Sequence, residues 1–240
     1  HSYKLVKNTD YVVSTPSAGT NAGKQKLTIT GNGDYINQGS IYVYFTINPK
    51  SITSANFGWN TSYTYDATAK EPIGATSSGE TNDFSVTLNE TSLYSGKDYT
   101  ITSYANNTNA GNEASVTITG TGNYTGTKTG KFTIDKLNFD DVTATLDKAS
   151  YTYTGGAIKP VVTVETAGKT IPEADYEVSY NNNINASSTE PTVTLNPSAT
   201  SNLTGTKSVT FIIAAAGEVL LTFTLPDGTK KAVQMSDAHT

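Results

Sequence analysis

The chain has 240 residues and a formal net charge of −5, and this acidic balance argues against a nucleic-acid partner, which needs a basic face. It contains no cysteine, which excludes disulfides, cysteine-ligated zinc and a thiol nucleophile. Hydrophobic residues make up 35% and charged residues 15%, and the rest is rich in Thr, Asn, Ser and Gly. Because this mixture favours strands and turns over helices, we predict an all-β fold.

The sequence contains no run of about 18 apolar residues, the length that a membrane-spanning helix needs. We therefore expect no membrane insertion of this fragment. Its first residues also lack the charged-then-apolar pattern of a signal peptide. We expect any export or anchoring signal to lie outside the fragment.

One sequence pattern occurs three times, and we call its occurrences the first, second and third copies. The first copy, residues 1–49, begins its pattern at Asp10-Tyr11. It continues through Asn21-Ala22-Gly23, Leu27-Thr28-Ile29-Thr30-Gly31, Gly33-Asp34-Tyr35 and Phe45-Thr46-Ile47. It lacks the front half that the other two copies share. We therefore predict a partial repeat, which either extends upstream in a longer protein or is built differently.

The second copy, residues 50–136, has a front half marked by Tyr63-Thr64-Tyr65 and Pro72. Its pattern then runs through Asp98-Tyr99, Asn109-Ala110-Gly111, Val116-Thr117-Ile118-Thr119-Gly120, Gly122-Asn123-Tyr124-Thr125-Gly126 and Phe132-Thr133-Ile134. Apolar and polar residues alternate in these segments, which is typical of strands with one face turned inward. The Asn- and Gly-rich stretches between them have the composition of tight turns.

The third copy, residues 137–216, has Tyr151-Thr152-Tyr153 and Pro160 at the same Tyr-to-Pro spacing. Looser matches follow at Asp175-Tyr176, Asn185-Ala186, Val193-Thr194-Leu195, Asn202-Leu203-Thr204-Gly205 and Phe211-Ile212-Ile213. The aspartates that begin the three patterns are 88 and 77 residues apart, a period suited to a small β-sandwich of about seven strands. Because the connections are short, we expect the repeats to lie end to end.

Residues 217–240 break this pattern. Val219–Thr224 and Ala232–Met235 flank Pro226-Asp227-Gly228-Thr229, which predicts a β-hairpin. Ser236-Asp237 has the character of a helix cap. We interpret this segment as the beginning of a further module.

The repeated residues resemble the bacterial immunoglobulin-like repeats called MBG domains. The resemblance covers most of residues 5–213 and is strongest in the second copy. It implies tandem immunoglobulin-like β-sandwiches in a large secreted or cell-wall protein of bacteria. Such repeats occur there beside adhesive or carbohydrate-active modules. The family offers no enzymatic motif that could be carried over to this chain.

The sequence offers little for catalysis. Its only histidines, His1 and His239, lie near the chain ends, so a serine triad or a histidine-ligated metal would need an unstructured terminus. Asp140-Asp141, or Asp66 with Glu71, are nominal carboxylate pairs for glycoside hydrolysis. No apolar pocket that would raise one carboxyl pKa is indicated around them. We predict no catalytic residues, no cofactor and no enzymatic activity.

Two stabilising features, a calcium site and an intramolecular cross-link, have simpler alternatives in this sequence. Asp135, Asp140 and Asp141 surround a predicted junction between repeats, where calcium could stiffen the chain. The chain lacks an Asp-x-Asp-x-Asp-Gly loop, so solvated charge is the better interpretation and no metal site is predicted. An intramolecular Lys-Asn bond would need Lys, Asn and an acid buried together, which no spacing here indicates.

The best local candidate for a binding contact is the stretch Phe57-Gly58-Trp59, which has no counterpart in the third copy. Phe57 and Trp59 could contact a glycan or a protein partner, since aromatic faces are common platforms for both. The alternative is that Trp59 belongs to the core. The repeated Tyr63, Tyr65, Tyr151 and Tyr153 are interpreted as half-buried strand or corner residues.

Two functions fit these observations. The first is a non-catalytic spacer of a bacterial cell-surface or secreted protein that displays a neighbouring module. The second is an adhesive or carbohydrate-binding module that contacts glycans or a host protein. Both place the chain outside the cell, at the cell surface or in the cell wall, with neighbouring domains of a longer chain as further partners.

Overall fold

A computed structural model of the chain describes residues 3–14, 20–186, 189–215, 219–226 and 229–235. Strands dominate these residues, and their only helices are three single-turn 3-10 helices, Gly33–Tyr35, Phe139–Asp141 and Glu173–Asp175. The prediction of an all-β fold is therefore confirmed for the described part of the chain.

The first copy forms one antiparallel sheet. Its strands are β1 (Tyr11–Ser14), β2 (Gly23–Gly31) and β3 (Ser40–Ile47), in the order β1-β2-β3. Leu27 pairs with Val43 and Ile29 with Ile41, so apolar residues share one face of β2 and β3.

The second copy contains nine strands. They are β4 (Lys50–Ser51), β5 (Asn56–Trp59), β6 (Tyr63–Thr64), β7 (Phe84–Leu88), β8 (Thr91–Leu93), β9 (Tyr99–Ala105), β10 (Gly111–Gly120), β11 (Tyr124–Thr125) and β12 (Thr127–Asp135). Strands β5, β7 and β8 form one antiparallel sheet, and β10 pairs with β9 in another. Phe84, Val86, Val116 and Ile118 belong to one buried cluster, so side chains of both sheets meet in a common core.

The third copy contains ten strands. They are β13 (Leu137–Asn138), β14 (Thr143–Leu146), β15 (Ser150–Thr152), β16 (Val162–Thr166), β17 (Lys169–Thr170), β18 (Tyr176–Asn181), β19 (Thr192–Pro197), β20 (Leu203–Thr204), β21 (Lys207–Thr210) and β22 (Ile212–Ala214). Strands β14, β16 and β17 form one sheet, and β18, β19 and β21 form another. Val164, Val193 and Leu195 are fully buried.

The chain then forms the antiparallel pair β23 (Val219–Thr224) and β24 (Lys230–Met235). Leu225 N–H donates to Thr229 O at 2.8 Å and helps to close the connection. This pairing is the hairpin expected from the sequence. Asp227, Gly228 and the predicted cap Ser236-Asp237 lie outside the described residues.

The second and third copies pair equivalent residues in the same way. Tyr63 pairs with Ile134 and Tyr151 with Ile213, both in parallel. The hydroxyls of Tyr104 and Tyr180 donate to Pro72 O and Pro160 O, each at 2.9 Å. The sequence alignment of the two copies therefore extends to individual hydrogen bonds.

The described chain divides into two compact units. The first unit contains the chain up to Thr61, together with Glu71–Ala105 and Ser115–Phe132. The second unit contains Ser62–Lys70, Asn106–Ala114 and the chain from Thr133 onward. This division does not follow the repeat boundaries expected after residues 49, 136 and 216, which stay a prediction.

In the first unit, Tyr99 is fully buried and its hydroxyl has no hydrogen-bond partner among the described residues. Burial, with the nearby charge of Asp98, raises the pKa of Tyr99 to about 12. A buried donor without a partner costs free energy, whereas the hydroxyl of Tyr104 in the same unit is satisfied by Pro72 O.

We therefore predict that the same substitution, Tyr to Phe, has different effects on stability at positions 99 and 104. Tyr99→Phe should leave the free energy of unfolding unchanged or raise it by about 1 kcal/mol, because it removes an unsatisfied buried hydroxyl. Tyr104→Phe should lower it by about 1 kcal/mol, because Pro72 O loses its donor. Urea unfolding measures both, and a loss of more than about 1 kcal/mol for Tyr99→Phe would contradict the prediction.

Candidate functional site

Phe57 and Trp59 lie on β5 and are half-buried. Their rings are stacked, with centroids 6.0 Å apart and planes inclined by 13°. The Trp59 ring lies 5.3 Å from that of the fully buried Phe84 and 5.1 Å from that of Phe132. These contacts place the predicted stretch against the core of the first unit.

The strand register shows which residues occupy the same place in the third copy, which lacks this stretch. Trp59 pairs with Phe84, and at the equivalent place Leu146 pairs with Val162. Leu146 is buried, so this position contributes to the core in both copies, with residues of different size. Contact with a ligand through Phe57 and Trp59 stays a prediction, and both side chains already pack against the buried core of the first unit.

A second cluster surrounds the Asp66 carboxylate in the second unit. Ala67 has a positive φ of 62°, and this turn lets Thr68 N–H and Oγ1 donate to Asp66 Oδ1 at 3.0 and 2.5 Å. Lys70 Nζ lies 2.6 Å from Oδ1, and Lys169 Nζ lies 2.6 Å from Oδ2. One carboxylate therefore connects two lysines from distant parts of the sequence.

The charges around Asp66 decide its protonation state. Partial burial alone would raise the pKa of its carboxyl, but the ammonium groups of Lys169 and Lys70 and the Thr68 donors hold that pKa well below its usual range. A general acid for glycoside hydrolysis needs the opposite shift. Asp66 is therefore unsuited to the role of the general acid in its nominal pairing with Glu71.

A third cluster is centred on Asp175, which is only 8% exposed. The Tyr65 hydroxyl donates to Oδ2 at 2.5 Å, and Asn202 Nδ2 donates to Oδ1 at 2.9 Å. Ser201 Oγ donates to the main-chain oxygen of Asp175 at 2.5 Å. Burial and the adjacent carboxylate raise the pKa of Tyr65, which keeps its proton available to Asp175.

The burial of Tyr65 depends on the following copy. Tyr65 N–H donates to Asp135 O, and its counterpart Tyr153 donates to Ala214 O, so both occupy the same backbone position. Tyr65 is 3% exposed, whereas Tyr153 is 41% exposed, so the prediction that both are half-buried is wrong. The difference lies in Asp175 and its neighbours, which belong to the third copy and cover a tyrosine of the second.

The turn asparagines connect consecutive copies in the same manner twice. In the second unit, Asn202 Oδ1 accepts from Ala110 N–H at 2.8 Å, and its Nδ2 donates to Asn109 Oδ1 at 3.3 Å. In the first unit, Asn123 Oδ1 accepts from Ala22 N–H at 2.6 Å, and its Nδ2 donates to Asn21 Oδ1 at 2.9 Å. We call each of these contacts an asparagine junction.

The remaining candidates from the sequence gain no support from the structure. Among the described residues, no group of three or more acidic or histidine side chains is placed to hold a metal ion, and this includes Asp135, Asp140 and Asp141. His1 and His239 lie outside the described residues. Within the described part of the chain, no helix has the length and apolar character needed to span a membrane.

Comparisons of the chain with protein-family models, with curated proteins and with solved structures found no match. Its function is therefore inferred from its own residues and their geometry.

We predict that Trp59 matters mainly for stability. Trp59→Ala should lower the free energy of unfolding by about 2–4 kcal/mol, because it removes the ring between Phe84 and Phe132. Chemical unfolding with urea measures this loss. An unchanged midpoint together with lost glycan binding would instead assign Trp59 to a ligand contact.

We also predict that Asp66 makes the stability of the chain depend on pH. The pKa of the Asp66 carboxyl is lower in the folded chain than its value of 3.8 in the unfolded chain, so the ionised carboxylate stabilises the fold above about pH 3.8. This contribution is lost as the pH falls towards the folded pKa. Asp66→Asn should therefore cost about 1–2 kcal/mol at pH 7, and the gap to the wild type should shrink below about pH 4. Unfolding midpoints at pH 7, 5 and 3 measure the gap.

The control for this experiment is Glu177→Gln, which removes one carboxylate from an exposed strand position. We expect its effect to stay within about 0.5 kcal/mol across the same pH range. A gap for Asp66→Asn that is as large at pH 3 as at pH 7 would show that the lysine contacts do not act through its charge.

Proposed function

We propose that the chain is a non-catalytic spacer segment of a bacterial cell-surface or secreted protein and that it displays a neighbouring module. In this proposal the segment consists of tandem immunoglobulin-like β-sandwich repeats arranged end to end. The observation that carries this proposal is the asparagine junction. The same side-chain atoms of Asn123 and Asn202 hold an Asn-Ala pair of the preceding copy.

A spacer needs a reproducible connection between its repeats more than it needs any exposed reactive group. The junction supplies two hydrogen bonds in a fixed geometry, and each uses residues of the repeated pattern itself. In the second unit, the buried Asp175 cluster and the Asp66 ion pairs add further contacts between the second and third copies. Such contacts limit the bending of a tandem array.

The resemblance to MBG repeats supports the same proposal from the sequence side. Two of the motifs that carry the resemblance, Asn-Ala-Gly and the turn with its asparagine, contain the residues that form the junctions. A repeated unit whose shared residues serve packing and connection, rather than a shared ligand site, suits a structural role outside the cell.

Solution scattering tests the proposal. We expect the wild-type chain to be elongated, with a radius of gyration well above the roughly 18 Å of a compact domain of this length. Replacing both junction residues in Asn123→Ala/Asn202→Ala should broaden the distribution of interatomic distances, because the connections bend more freely. A wild-type profile of compact, near-spherical shape would contradict the spacer proposal.

The two junctions should also differ in strength. Asn202 is buried, and Asn202→Ala leaves Asp175 with one donor fewer and Ala110 N–H without its acceptor, so we expect a loss of about 1–3 kcal/mol. Asn123 is exposed, so Asn123→Ala should cost about 0.5 kcal/mol or less. Equal losses in urea unfolding would show that burial does not set the strength of the junction.

A further inference from the structure

One face of the first sheet carries an exposed set of lysines and tyrosines. Thr28 pairs with Tyr42 and Lys26 with Tyr44, so the alternation of the strands places Lys24, Lys26, Tyr42 and Tyr44 on the same face. Lys26 Nζ lies 4.1 Å from the centroid of the Tyr42 ring, and Lys24 Nζ lies 4.8 Å from that of Tyr44. We call these four residues the Lys-Tyr ladder.

The ladder is accessible and cationic. Tyr42 is 55% exposed, Tyr44 is 57% exposed, and both lysines are exposed. Strands β1, β2 and β3 contain these two lysines and no acidic residue, in a chain that has 21 acidic residues against 16 basic ones. The charge of this face is therefore opposite to that of the whole chain.

The scaffold of the repeat does not require the ladder. The patterns align Leu27 with Val116 and Val193, and Phe45 with Phe132 and Phe211. On this alignment, Lys24 corresponds to Glu113 and Glu190, and Lys26 corresponds to Ser115 and Thr192. Tyr42 corresponds to Thr129 and Ser208, and Tyr44 corresponds to Lys131 and Thr210. The first copy alone combines exposed tyrosines with lysines, while the other two share its strand pattern without them.

We propose that the Lys-Tyr ladder binds an acidic polysaccharide. Two tyrosines on alternate residues of one strand stand about 7 Å apart, so both can contact one extended sugar chain. Their ring faces can contact sugar C–H groups, their hydroxyls can hydrogen-bond to sugar hydroxyls, and the ammonium groups can pair with carboxylates or sulfates.

The charge balance favours a glycan over a nucleic acid. Nucleic-acid affinity arises from the neutralisation of many phosphates by many basic groups, whereas the ladder offers two lysines on a chain with a net charge of −5. An acidic sugar polymer has a lower charge density and presents apolar sugar faces to the tyrosines. The ladder is independent of the spacer role, because its residues take no part in the asparagine junctions.

The test measures binding of the full chain to hyaluronan fragments, which carry carboxylates, and to heparin fragments, which also carry sulfates, with neutral dextran for comparison. We expect binding to at least one acidic polymer and none to dextran, with affinity falling as the NaCl concentration rises. Tyr42→Ala/Tyr44→Ala and Lys24→Gln/Lys26→Gln should each weaken binding about tenfold, which corresponds to 1.4 kcal/mol.

The matched control is Lys50→Gln/Lys159→Gln, which removes the same charge from exposed positions outside the ladder. Its affinity should stay within about twofold of the wild type. Absence of binding to both acidic polymers, equal binding to dextran or to double-stranded DNA, or an equal loss in the control would overturn the proposal. None of these results alters the scattering test of the spacer, so the two proposals fail separately.

Discussion

The buried carboxylate of Asp175 is the constraint on which the contact between the second and third copies depends. A carboxylate removed from water is costly unless donors surround it, and here Tyr65 and Asn202 satisfy one oxygen each. Because these donors come from both copies, the contact between the two copies supplies part of what satisfies the buried side chain of Asp175. The Asp66 ion pairs, also in the second unit, reinforce that arrangement from a more exposed position.

The same connection exists in a weaker form in the first unit. Asn123 reaches the Asn21-Ala22 pair as Asn202 reaches Asn109-Ala110, but Asn123 is exposed and holds no buried carboxylate. The shared part of the junction consists of neutral hydrogen bonds, which are exposed in the first unit and partly buried in the second, and which fix the direction of the connection. Of the two junctions, the one formed by Asn202 is also joined to the buried Asp175 cluster. Copies of one sequence pattern can thus keep a common docking geometry while the strength of each connection varies.

Much of the strand content follows from the sequence. Alternation in Ser115–Thr119 predicts a strand with Val116 and Ile118 inward, and both are fully buried on β10. The repeated pattern also marks Asp175 and Asn202 as positions of interest. It does not reveal their partners, because a contact between copies depends on how two folded units meet. Lys169, which pairs with Asp66 across 103 residues, lies outside the repeated motifs altogether.

The neighbours of Trp59 and of the Lys-Tyr ladder likewise could not be predicted from the sequence. An aromatic residue on a short strand suits either a core or a ligand contact, and only the register with Phe84 shows which neighbours its ring has. The ladder consists of residues that are unremarkable along the chain, and it is recognised once β2 and β3 are paired. A comparison of the three copies at Lys24, Glu113 and Glu190 could have pointed to it, because the charge changes sign there.

The parallel pairing of Tyr63 with Ile134, and of Tyr151 with Ile213, has a mechanical consequence. In each copy a strand near the beginning lies beside the last strand and runs in the same direction. Tension applied to the two ends of such a copy pulls these strands past each other, so their hydrogen bonds bear the load together and do not open one by one. Shear loading of this kind raises the force needed for rupture, so each of these two copies should resist extension along its length.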